Sequence, residues 1–189
     1  MLPWVIGGLA FVVLVVIVAA QRAGTAPAAA PAMGTPLGGG GGAGGAPDIS
    51  AMTPRERADR LFDRLMRMDG EGKRDSVAFF APMALGAYES LGELDLDLRY
   101  DYGRVAEVSG NLDLAAAQAD TILRQAPDHL LGLVLAMRVA ERRGDEARRR
   151  QFADRLLSVE AAERKKDLDE YRLHQGDLEA AIAAARARR

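Results

Sequence analysis

The chain has 189 residues, 25 Lys and Arg against 27 Asp and Glu, a formal charge of −2, 49% hydrophobic residues and no cysteine. The missing cysteine excludes disulfides, thiolate zinc sites and a thiol nucleophile. The near-neutral balance lacks the basic excess by which a surface grips nucleic acid, so no nucleic-acid partner is expected.

Residues 2–20 form an uncharged run of Val, Ile, Leu, Gly and Ala, with Trp4 near one end and Gln21-Arg22 at the other. As a helix it would measure about 28 Å, enough to cross a bilayer core, so residues 1–22 are expected to be a single-pass transmembrane anchor. Val18-Ala19-Ala20 also resembles the cleavage site of a secretory signal, but no Lys or Arg precedes the apolar run as such a signal requires. Arg22 is the only basic side chain near the span, which leans the folded part towards the cytoplasmic side. Residues 23–48 are mostly Gly, Ala and Pro, including the unbroken run Gly38 to Gly42, and read as a flexible linker.

From residue 49 to 189 the period is helical throughout, with no sustained alternation and so no expected strand. Thr53-Pro54-Arg55-Glu56 has the form of a capping box, with Ala58, Leu61, Phe62, Leu65 and Met68 on one face and a stop at Asp69 to Gly72. A second helix from about Asp75 gathers Val77, Phe80, Ala81, Ala84, Leu85, Tyr88 and Leu91. Pro82 inside it implies a later start near Ala81 or a kink. A third places Leu98, Tyr102, Val105 and Ala106 inward, and its partner carries Leu112, Ala115, Ala119, Ile122 and Leu123 before Ala126-Pro127. Two further pairs are expected, at about 128–143 with 145–159 and about 162–175 with 177–188.

Gly110-Asn111, Gly144-Asp145 and Gly176-Asp177 each follow an amphipathic stretch and precede another, so each reads as a tight turn with a left-handed glycine and a capping Asn or Asp. The glycines are 34 and 32 residues apart. That spacing brackets the period of about 34 typical of tetratricopeptide repeats.

Residues 96–129 resemble such a repeat: Tyr102-Gly103 match the large-then-small pair of its first helix, Gly110-Asn111 its turn, Ala115 and Ala119 its small residues, and Pro127 its closing proline. Residues 130–161 are similar to a second, departing at Arg149, where a small residue should stand. The resemblance implies an all-α stack of about four antiparallel helix pairs, a short right-handed solenoid. It also implies that the first helix of each pair lines a partner-binding groove, which nominates Tyr100, Arg104, Leu131, Val134, Arg138 and Arg142. The nearly all-apolar Leu130 to Met137 fits either that exposed groove or a central helix packed on both sides, and the second is favoured.

No catalytic, cofactor or metal constellation stands out. His129 and His174 read as surface or capping residues, and Glu93 to Asp97 as the acidic first turn of a helix. The expected function is therefore a membrane-anchored, non-catalytic, monomeric scaffold binding a protein or peptide near the bilayer. Alternatives are an assembly factor similar to the tetratricopeptide proteins of cytochrome c maturation, with its domain outside the cytoplasm, and a self-associating structural protein.

Overall fold

A computed structural model describes residues 52–188, which form eight α-helices and no strand. The expected anchor at 1–22 and linker at 23–48 lie outside the described residues. Among those described, no helix is long and apolar enough to cross a membrane.

The first helix, α1 (Pro54–Gly70), starts on the capping box: Thr53 Oγ1 accepts from the Glu56 amide at 3.2 Å, and the Thr53 amide donates to Glu56 Oε2 at 2.7 Å. Gly72, at φ +70°, reverses the chain into α2 (Arg74–Glu89). This helix continues through Pro82, so the later start near Ala81 is not taken and the proline costs one internal hydrogen bond. Asp95 caps α3 (Leu96–Val108) by accepting from the Leu98 amide at 2.8 Å. The remaining long helices are α4 (Leu112–Gln125), α5 (Leu130–Arg142) and α6 (Glu146–Glu163).

Helices α1 and α2, α3 and α4, and α5 and α6 pack as consecutive hairpins, while α1 touches α3 and α3 touches α5. The first helices of successive pairs thus form a continuous inner face. Close approach is built into α3 and α5: a Cβ on Gly103 would lie 2.3 Å from Leu135 Cδ2, and one on Gly132 2.7 Å from Ile122 Cγ2. Only glycine lets these helices nest so tightly. One core cluster joins α1, α2 and the near face of α3 through Phe62, Leu65, Tyr88 and Tyr102. A larger one runs from Tyr100 through Leu131, Val134 and Leu156 to Ile182.

Two of the three expected turns are found. Gly110 (φ +86°) and Gly144 (φ +68°) are left-handed, and Asn111 and Asp145 cap the next helices by accepting from the Leu114 and Arg148 amides at 3.2 and 3.0 Å. Gly176-Asp177 is not a turn. Both residues lie inside α8 (Gln175–Ala187), and the chain reverses earlier, through a 3-10 turn at Arg164–Lys166, a left-handed Asp167 (φ 51°) and the five-residue α7 (Asp169–Leu173). The cause is α6, which continues to Glu163 and leaves too little chain for a full first helix in the last pair. Arg149, out of place in the repeat pattern, is buried and donates to Glu146 Oε2 at 2.8 Å.

Candidate functional site

The inner face is where the six nominated residues meet, but it is not an open groove. Leu131 and Val134 of α5 are wholly buried and share one core cluster with Tyr100 of α3 and with Leu178, Ala181, Ile182 and Ala185 of α8. Those four fall at i, i+3, i+4 and i+7, a single apolar stripe that α8 turns against α5 and α6. Tyr100, Leu131 and Val134 therefore make core contacts, which for Leu131 and Val134 is the favoured reading of a central helix packed on both sides and not the exposed groove. The chain's own last helix covers them.

The cations of the same face are also engaged from within. Arg104 is buried, pairs with Glu107, and donates from Nε to Asp177 Oδ2 at 3.2 Å. The Tyr100 hydroxyl donates to the same oxygen at 2.7 Å. Burial would raise the Asp177 pKa, but the Arg104 charge and the Tyr100 hydrogen bond outweigh it and hold the carboxyl below its ordinary value. Glu107, only 2% exposed, accepts from Arg138 Nε at 3.1 Å and Arg142 Nη1 at 3.4 Å besides pairing with Arg104. Arg138 and Arg142 keep 28% and 38% of their side chains in solvent, so they form the accessible rim.

Both histidines stand at cap positions, His129 before α5 and His174 between α7 and α8, but neither is a surface residue, their side chains keeping only 2% and 11% in solvent. His129 packs against the Tyr171 ring at 5.1 Å between centroids and meets Glu170 Oε1 at 3.3 Å through Nε2. Burial depresses its pKa despite the raising influence of Glu170 and Glu163. Tyr171 bridges the last elements, accepting from the Leu130 amide and donating to Glu163, each at 3.1 Å.

His174, at the junction of α7 and α8, reaches back to the first two helix pairs. Its ring stands edge-on between Phe62 of α1 and Tyr100 of α3, at 5.8 and 4.8 Å. Nε2 lies 3.2 Å from Oδ1 of both Asp97 and Asp101, one helical turn apart on α3. Burial pushes the Asp101 carboxyl up to about 7, His174 pulling the other way and Asp97 and Asp59 adding to the rise. For His174, burial would lower the pKa, but the Asp97 hydrogen bond and the Asp101 charge raise it overall. Asp97 lies 77 residues from His174 in sequence, so no local signal announces their meeting.

No family model, curated protein or solved structure matches the chain. The functional reading therefore stands on this geometry.

Proposed function

We propose that the chain is a membrane-anchored, non-catalytic scaffold of the tetratricopeptide-like kind, whose inner face receives an amphipathic helix. The observation that supports this is α8. It sets an apolar stripe, Leu178 to Ala185, against the α5 and α6 surface, and an acid, Asp177, against Arg104 and Tyr100. This is the helix-in-groove mode, with a charged contact fixing register and an aliphatic stripe supplying burial. In the isolated chain the groove is occupied in cis. A partner helix carrying an acid followed by aliphatics at the same spacing takes the place of α8 or joins it along the Arg138 and Arg142 rim. Anchorage through residues 2–20 keeps that exchange close to the bilayer.

A photo-crosslinking residue at position 138, in the full chain in intact cells, tests the reading. A covalent adduct with a second protein, lost in the Arg104→Ala variant, is the expected result. Crosslinks confined to the chain's own α8 under every condition would refute it.

A further inference from the structure

We propose that Asp97, Asp101 and His174 bind a divalent first-row transition-metal ion, of which Zn2+ is the reference case, and that this ion clasps the C-terminal helices to α3. The inference is independent of whether the inner face binds a partner.

The three ligand atoms, Oδ1 of each aspartate and Nε2 of the histidine, all lie within 4.8 Å of one another. The two nitrogen-to-oxygen separations are 3.2 Å. Ligands bonded to a common ion at about 2.0–2.2 Å stand roughly 3.0–3.5 Å apart, so these edges suit a shared ion with little adjustment. One imidazole with two carboxylates is a donor set for Zn2+, Mn2+, Co2+ or Ni2+ rather than for the all-oxygen ions Mg2+ and Ca2+.

The second observation is an orphan. Asp101 is only 6% exposed, and its Oδ1 is buried and receives no hydrogen bond. The single hydrogen bond of the neighbouring Nε2 goes to Asp97. One imidazole proton thus faces two carboxylate oxygens and satisfies one, whereas a metal ion satisfies all three ligand atoms together. A buried carboxylate oxygen that receives no hydrogen bond is costly and points to an absent cation or proton.

The surroundings are arranged as an outer shell. The other oxygen of each aspartate is already held: Asp97 Oδ2 by Arg55 Nη2 at 3.0 Å, and Asp101 Oδ2 by the Tyr88 hydroxyl at 3.4 Å. Each donor holds the Oδ2 atom and leaves Oδ1 to face the histidine, the role outer-shell groups play around metal ligands. Phe62 and Tyr100 fix the ring plane of His174. Charge agrees as well: the carboxylates of Asp59, Asp95, Asp97 and Asp101 gather around Arg55 and the histidine.

The rival occupant is a proton, and the experiment separates the two. Metal-stripped full-length chain is titrated with Co2+, followed by visible absorption, and with Zn2+, followed by calorimetry in buffers of differing ionisation enthalpy. The expected result is one equivalent bound, Co2+ displaced by Zn2+, protons released on binding, and a melting temperature raised by Zn2+. Asp101→Asn and His174→Gln should each weaken binding at least about tenfold and abolish the thermal rise. His129→Gln, at the other buried histidine, should leave both intact. Absence of saturable Zn2+ and Co2+ binding by the unaltered chain, or equal binding by the two ligand variants, overturns the proposal. Should Asp101→Asn lose its helicity, His174→Gln alone decides.

Discussion

Glu107 is the hinge of the charge network on the inner face, and Glu107→Gln tests whether that network is structural. The carboxylate pairs with Arg104, both side chains being almost completely buried, and accepts from Arg138 and Arg142 at the rim. Removing one member of a buried pair leaves the other as an uncompensated charge, at a cost of about 3–5 kcal/mol. Arg104 keeps Asp177 as a second partner, and Arg138 and Arg142 turn to water at little loss, so about 3 kcal/mol is expected. For a domain of this size each kcal/mol lowers the melting temperature by about 3–5 °C, giving a fall of roughly 9–15 °C in thermal denaturation followed by circular dichroism. The companion variant Arg104→Met with Glu107→Leu removes both charges and fills the space. It should melt close to the unaltered protein, because well-packed apolar groups commonly replace a buried pair without loss. A single variant that loses less than about 1 kcal/mol, or a double variant that loses as much as both singles combined, would refute the reasoning.

Four further outcomes follow from geometry already described. Gly110→Val should destabilise by about 1–2 kcal/mol because its left-handed φ strains a β-branched residue. Gly176→Ala, in a helix with open space around it, should be neutral or stabilising by up to about 1 kcal/mol, and equal urea midpoint losses for the two would contradict the assigned turns. Leu131→Ala should cost about 2–5 kcal/mol by opening a cavity in the cluster shared with α8, and a variant with unchanged stability would return Leu131 to an exposed surface. For His129 the folded pKa lies below the unfolded one, so the unfolded state takes up the proton first, and its contribution is present above the unfolded pKa of about 6.5 and lost on acidification. Between pH 7.5 and pH 5 the unaltered protein should therefore lose more stability than His129→Gln, and identical losses by urea titration would count against a buried neutral imidazole facing Glu170, Glu163 and Lys166.

Helix positions were legible wherever the cue was local. Thr53 and Glu56 lie three residues apart and close a capping box on their own, and Gly110 with Asn111 supplies both the reversal and the cap of the next helix. Gly176-Asp177 carries the same letters with a different result, because the extent of α6 upstream, not the dipeptide, decides where the chain turns. Tyr100, Arg104, Leu131, Val134, Arg138 and Arg142, nominated as a partner-binding groove, lie along α3 and α5, where the first four are buried and only the last two reach solvent. Their coverage was hidden, since an amphipathic stripe such as Leu178 to Ala185 announces that it must be buried without saying against what. The His174 cluster was invisible for the same reason: it joins α3 to the α7–α8 junction through tertiary contact alone.

That distant junction has a consequence for how the molecule is made. Nearly every other contact links a helix to its neighbour or the next but one, so the first three hairpins can assemble in order as they leave the ribosome. Asp97 and Asp101 must instead wait for a histidine more than 70 residues downstream, and Arg104 for Asp177. Until residues 174–182 emerge, the nascent inner face presents Asp97 and Asp101 without their histidine beside Tyr100, Leu131 and Val134 without α8. Synthesis interrupted in that interval leaves a partly folded stack with a charged, apolar slot, the form most exposed to proteases and to capture by other chains.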